Sequence, residues 1–209
     1  MRSASNVGRV SVGLSLMVLL TSAVCLAGAY YEDFSAENAW YADYWDRDGG
    51  YITLAVKETG SVDGILCPPE ATGPLLPGDV IEFDVMIVYG NGNSAAGLAF
   101  ADVHGANVYF LLDADGWWSV FSGTAYSTTL TRIAGPTRLD LRQTGRGKYH
   151  TIKAVITSET AQIFVDGTKA TTLMFAFADF GSDVVLVVVN SDSSQTTARF
   201  DNLKMTHAH

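Results

Sequence analysis

Between positions 80 and 88 the chain alternates, with Ile81, Phe83, Val85 and Ile87 on one side and Glu82 and Asp84 on the other. Successive side chains of an extended chain point to opposite faces, so this pattern predicts a strand with one face in a core and one in water. Two other runs, Val108-Tyr109-Phe110-Leu111-Leu112 and Val184-Val185-Leu186-Val187-Val188-Val189, are apolar at every position, which predicts central strands covered on both faces. Further strands are expected over Tyr51–Lys57, Ala96–Asp102, Trp117–Phe121, Tyr126–Ile133, Tyr149–Thr157, Ala161–Val165 and Thr197–Met205. From Tyr30 onward no convincing stretch repeats its apolar residues at helical spacing. Asp166-Gly167 reads as a tight hairpin, and Gly90-Asn91-Gly92-Asn93-Ser94 and Asp113-Ala114-Asp115-Gly116 as turns of related chemistry. The expectation is an all-β protein: a sandwich of two antiparallel sheets in one domain over residues 30–206, with 207–209 as a flexible tail.

The start of the chain follows another rule. Residues 1–29 contain no acid, carry Arg2 and Arg9, run apolar from Val10 to Leu20, and end in Ala27-Gly28-Ala29. That is the layout of a secretory signal peptide cleaved after Ala29, which addresses the product to the cell exterior or envelope. The run is shorter than the about 20 apolar residues a membrane anchor needs, so no membrane insertion is expected after cleavage. A lipid anchor on Cys25 is disfavoured by Val24 directly before it. Removal of the first 29 of 209 residues leaves Cys67 as the one cysteine, which excludes an intrachain disulfide and a cysteine-based metal cluster.

Composition then narrows the partners. The chain has 13 basic and 22 acidic residues; without Arg2 and Arg9 there are 11 basic residues and a net charge of −11. Overall charge of this sign works against a nucleic-acid backbone and suits neutral sugars, cations or basic partners.

Several segments in order now resemble one group of proteins: Asp33-Phe34-Ser35, Trp40, Trp45, Gly49-Gly50-Tyr51-Ile52-Thr53-Leu54, Ile81-Glu82-Phe83-Asp84-Val85, Gly116-Trp117-Trp118-Ser119-Val120, Lys148 to Ala154, Ile163-Phe164-Val165-Asp166-Gly167, and Arg199-Phe200-Asp201-Asn202-Leu203. Together they resemble the concanavalin A-like lectin/glucanase superfamily, in particular its laminin-G-like and glycan-binding jelly-roll domains. The resemblance implies a two-sheet jelly roll with a concave face or loop rim that binds glycans or peptides, and a structural calcium.

Glucanases of that superfamily carry a strand reading Glu, apolar, Asp, apolar, with a further Glu beyond, because a retaining mechanism needs two carboxyl groups about 5–5.5 Å apart. Glu82-Phe83-Asp84-Val85 supplies the first half, but Met86, Ile87 and Val88 stand where the second Glu belongs, so no catalytic residue is expected. There is no G-x-S-x-G motif, and His207-Ala208-His209 reads as a frayed end rather than a zinc site. Phe200 and Leu203, three apart, can both face a core only if the strand bulges, which frees Asp201 or Asn202. With Asp33 and Glu32 these form the candidate calcium ligands Asp201, Asn202, Asp33 and Glu32; the alternative is that Asp201 and Asn202 cap a turn.

Aromatic faces hold the C–H side of a pyranose while polar neighbours take its hydroxyls. Trp40 and Trp45 are expected in the core. Adjacent Trp117 and Trp118 must face opposite ways, one into the core and the other toward water or ligand. The candidate ligand residues are therefore Trp117 and Trp118, accompanied by Tyr44, Tyr126, Asp102 and Asn107. The expected function is a secreted, non-catalytic carbohydrate-binding module whose partner is a polysaccharide or glycan. A structural or adhesive protein contacting other extracellular proteins, or a glycoside hydrolase or lyase, are the rival expectations.

Overall fold

A computed structural model describes residues 29–208 apart from 37–40, 42–43, 47–48, 68–74, 91–93, 103–105, 125–129, 175–179 and 192–194. Residues 1–28 of the predicted signal peptide, Trp40 and Tyr126 lie outside the described residues. Fourteen strands and no α-helix appear among the described residues: β1 (Ala29–Glu32), β2 (Trp45–Asp46), β3 (Tyr51–Val56), β4 (Ser61–Leu66), β5 (Val80–Tyr89), β6 (Ala95–Asp102), β7 (Ala106–Asp113), β8 (Trp117–Thr124), β9 (Thr131–Arg138), β10 (Tyr149–Ile156), β11 (Thr160–Val165), β12 (Thr168–Met174), β13 (Phe180–Asn190) and β14 (Thr196–Thr206). They form two antiparallel sheets of jelly-roll type. One sheet has eight strands, ordered β12-β11-β10-β5-β14-β3-β2 with β1 also on β14; the other has six, ordered β4-β13-β6-β7-β8-β9.

The alternation seen in the sequence becomes the sandwich. Ile81, Phe83, Val85 and Ile87 are buried between the sheets, while Glu82 and Asp84 stand on the outer face of the eight-stranded sheet. The inner face of the six-stranded sheet contributes Leu98, Phe100, Phe110, Leu112, Val184 and Leu186 to the same core. β7 and β13 are covered on both faces as expected, because Tyr109, Leu111, Val187 and Val189 are buried in a second apolar cluster outside the sandwich core.

The bulge that the Phe200/Leu203 spacing requires is present in β14. Both side chains are fully buried, and the pairing of β14 with β5 slips between Asp201 and Lys204. Asn202 takes φ 53° at that slip, a left-handed conformation that asparagine tolerates better than most residues. Beyond the bulge β1 pairs with β14, placing Glu32 opposite Leu203. The Asp166-Gly167 hairpin forms with φ 48° and 78°, and the Asp166 carboxylate accepts the Thr151 N–H at 2.9 Å and pairs with His150 Nδ1 at 2.8 Å.

Three expectations are corrected. β9 begins at Thr131 rather than at Tyr126 and runs through Gly135-Pro136. An edge strand with two register slips tolerates a proline that a central strand would not. The strands β1, β2 and β4 were not foreseen; β4 contains Gly64, whose missing side chain lets Val185 approach, for a Cβ there would lie 2.8 Å from Val185 Cγ1. The tail is not loose over His207 and Ala208, because buried Asp79 accepts the Ala208 N–H at 3.0 Å and pairs with His207 Nδ1 at 3.1 Å.

Candidate ligand-binding groove

The outer face of the six-stranded sheet can be read from its register. Val187, Gly97, Leu111 and Ser119 make one row across the strands; Val185, Ala99, Tyr109, Phe121 and Arg132 make the next. On this face β6 offers only Ala95, Gly97, Ala99 and Ala101, so the larger side chains of β7 and β13 stand above it on either side. Gly97 is required here, because a Cβ would collide with the carbonyl oxygen of Phe110 on β7. Toward one end of the sheet lies a groove of about 360 Å³ lined by Ala95, Leu111, Asp113, Trp117, Ser119, Phe121, Arg132, Pro136 and Ser191, crossing from the end of β13 to β9.

Local chemistry sets Trp117 in place. The turn Asp113–Gly116 closes through Gly116 N–H to Asp113 O, with Gly116 at φ 82°. Asp113 Oδ1 accepts the N–H groups of Asp115 and Trp117, both at 2.9 Å, which ties the first residue of β8 to the last of β7. Burial pushes the Asp113 carboxyl above the ordinary aspartate range, against those two N–H groups, which pull it down. At the opposite wall the Arg132 guanidinium lies 5.4 Å from the Phe121 ring centroid. The groove therefore combines an exposed indole, an acceptor and a cationic donor with two serines on an apolar floor, a combination suited to a polyhydroxylated ligand.

Of the described sequence candidates only Trp117 lines this groove. It is 41% exposed at the start of β8, whereas Trp118 is 7% exposed in the inter-sheet core, its ring stacked on Phe110 at 6.1 Å. Trp118 is thus corrected from a ligand residue to a core residue. Tyr44 is corrected likewise, since it packs against the inter-sheet core. Asn107 shares the outer face of β7 but lies outside the groove lining; it is 6% exposed and donates from Nδ2 to the Tyr109 hydroxyl at 2.9 Å. Asp102 pairs through its backbone with Phe180 of β13. The residues that sequence reasoning missed are Asp113, Ser119, Phe121, Arg132, Pro136 and Ser191. Ser119 and Phe121 were accessible in principle as the i+2 and i+4 neighbours of Trp117; Arg132 was not, because the two slips between β8 and β9 decide that it stands opposite Phe121.

The four proposed calcium ligands are brought near one another but are committed elsewhere. Glu32 Oε1 accepts the Phe34 N–H at 2.9 Å, Asp33 Oδ1 the Ser35 N–H at 3.0 Å, and Asp201 Oδ1 the Asn202 N–H at 2.7 Å. The Asn202 amide bridges Asp84 and Tyr31, at 2.9 and 3.0 Å. No group of three or more His, Cys, Asp or Glu side chains among the described residues is arranged to hold a metal ion. This donor set does not fit a calcium, which needs 6–8 oxygens turned toward one point. The arrangement is instead a cross-strand polar cluster in which burial, then the neighbouring Asp84 and Asp33, raises the Asp201 carboxyl.

No protein-family model matches the chain, and no curated protein matches it in sequence. Solved structures do share its fold. A Bacillus licheniformis β-glucanase superposes with a TM-score of 0.56 at 11% identity, over 87% of this chain and 99% of that one. A Crh5 transglycosylase in complex with NAG gives 0.53 at 15% identity, over 88% of this chain and 85% of that one. LamAcat from Zobellia galactanivorans gives 0.50 at 8% identity, over 76% and 78%. At these identities the likeness establishes the concanavalin A-like jelly-roll fold, and the chemistry has to be argued from the groove itself.

Proposed function

We propose that this protein is a secreted carbohydrate-binding module that holds a glycan across the outer face of its six-stranded sheet without cleaving it. The observation that carries the reading is the exposed Trp117 indole in a groove that also presents Asp113, Ser119, Arg132 and Ser191. A ring face for the sugar's C–H side and polar groups for its hydroxyls are the two contacts pyranose recognition needs. Structural neighbours that act on glucans or were captured with NAG are in keeping with a sugar ligand. Secretion follows from Arg2, Arg9 and the apolar run to Leu20.

A non-catalytic role is supported by the distribution of acids. Glycosidic cleavage employs two carboxyl groups flanking one bond, and Asp113 is the one carboxylate among the described groove-lining residues. Glu82 and Asp84, the partial match to a glucanase strand, belong to the opposite sheet and face away from the groove. The test is a glycan-array screen of the purified protein beside Trp117→Ala. Binding to a defined set of glycans that weakens in the variant supports the reading. Silence of the unsubstituted protein across the array refutes it and favours a surface that contacts other proteins.

A further inference from the structure

We infer that the ligand of this groove is anionic, a glycan carrying carboxylate or sulfate groups that are gripped by the bases of β9 while Trp117 takes the sugar ring. The inference rests on the glycan-binding reading and adds the charge class of the ligand. Its starting point is an uneven distribution of charge. Of the 11 basic residues beyond position 29, five (Arg132, Arg138, Arg142, Arg146 and Lys148) fall within 132–148, where Asp140 is the one acid, a local excess of four positive charges where residues 30–209 carry a net −11. All five are exposed, and none forms an ion pair with a described residue.

The fold delivers two of these bases to the face that carries the indole. Arg138 is the Cα partner of Trp117, and Arg132 that of Phe121, so both arginines stand on the face that carries the indole. The segment after β9 turns back onto the β7–β8 hairpin: Leu139 N–H donates to Gly116 O at 3.0 Å and Gly145 N–H to Ala114 O. Arg146 is thereby carried beside the turn that precedes Trp117, whereas Arg142 lines a separate cavity with Tyr149, Asp166 and Thr168, and Lys148 leads into β10 of the other sheet. Meanwhile Asp84 and Asp201 pair on the outer face of the other sheet, with Glu32 where β1 joins β14, while Glu82 on that face is flanked by Lys153 and Lys204. Charge separated in this way steers a polyanion toward one side of a molecule whose net charge repels it.

The chemistry selects oxyanions on a sugar. A guanidinium presents a planar donor fork that matches carboxylate or sulfate, and Arg132 is held over an aromatic face, which reduces the ordering it must undergo on binding. Protection of an open sheet edge would account for charges on β9 alone. It does not account for Arg142, Arg146 and Lys148, which lie beyond the strand.

The experiment uses calorimetric titration with three anionic probes, polygalacturonate, alginate and heparin, and two neutral ones, fully methyl-esterified polygalacturonate and laminarin. The esterified and free polygalacturonates share a backbone and differ in charge, so their comparison isolates the inference. Expected is at least about tenfold tighter binding of an anionic probe than of the neutral ones, shrinking between about 50 and about 200 mM salt. The double variant Arg132→Gln/Arg138→Gln should lose about tenfold for that probe with an unchanged melting temperature, since both side chains are exposed, whereas Trp117→Ala should weaken charged and neutral probes alike. Neutral probes bound as tightly as charged ones overturn this inference and leave the glycan reading standing. Binding of none of the five overturns both. Tighter binding to vesicles of phosphatidylglycerol and phosphatidylcholine than to any glycan also overturns it, in favour of a membrane surface.

Discussion

Replacing Trp117 by alanine separates the groove from the core, because its neighbour Trp118 provides an internal control of the same chemistry. A tryptophan presents at most about 250 Å². At 41% exposure roughly 100 Å² of Trp117 remains for a ligand to cover, worth about 2.5 kcal/mol at about 25 cal/mol per Å². A sugar that covers between half and all of that area should therefore lose about eightfold to seventyfold in affinity in Trp117→Ala. The fold should be nearly unaffected, since the side chain lies outside the core. Trp118→Ala removes a ring stacked on Phe110 in the inter-sheet core and should cost about 3–5 kcal/mol of stability, lowering the melting temperature by about 6–20 °C. Trp118→Phe should cost less, because it also deletes an indole N–H that is buried without a hydrogen-bond partner. Calorimetric titration with a glycan identified on the array reads the first effect, and thermal unfolding followed by near-ultraviolet circular dichroism reads the second. Affinity unchanged within twofold in a folded Trp117→Ala protein would refute the assignment of the groove. So would a loss of stability as large as that of Trp118→Ala, because it would mean the indole serves the fold.

Gly97→Ala should destabilise by about 1–3 kcal/mol, because the added methyl meets the backbone of β7 and not a side chain that can swing away; denaturant unfolding that shows no change would contradict the close approach of β6 and β7. The Asp113 carboxyl is raised by burial, so its neutral form is favoured in the folded state. Its contribution to stability is accordingly full below the unfolded value of 3.8 and lost as pH rises through the folded value. Binding to the neutral laminarin, which needs the ionised acceptor, should run the other way and fade on acidification with a midpoint above 3.8, and Asp113→Asn should abolish that midpoint. Melting temperatures measured in calcium and in chelator should coincide, given the local commitments of Glu32, Asp33, Asp201 and Asn202; stabilisation by calcium would show that other oxygens complete a site there.

Much of this architecture was legible before any coordinates. The two-residue alternation of β5, the unbroken apolar runs of β7 and β13, and the three-residue spacing of Phe200 and Leu203 each forced a local conclusion that the structure repeats. The opposition of Trp117 and Trp118 was equally forced, since neighbours on a strand cannot share a face. Which of the two turns inward was not. That depends on the pairing of Leu112 with Trp118, which gives the second indole the Phe110 side of the hairpin and leaves the first to the groove.

The groove itself could not be read from any one segment. Ala95, Asp113, Arg132 and Ser191 lie far apart in the chain and meet only through the order β13-β6-β7-β8-β9 and the registers between those strands. Arg132 stands beside Phe121 because β9 slips twice against β8, and the segment after β9 is hydrogen-bonded back onto the β7–β8 hairpin. Side-chain alternation is a property of the covalent backbone and is written into every short stretch. Register is settled by the burial of whole faces at once, and a one-residue shift would send every side chain of a strand to the other side. The sequence by itself therefore determined which residues alternate, where the chain turns and where it must bulge, and tertiary pairing alone decided which of them share a site.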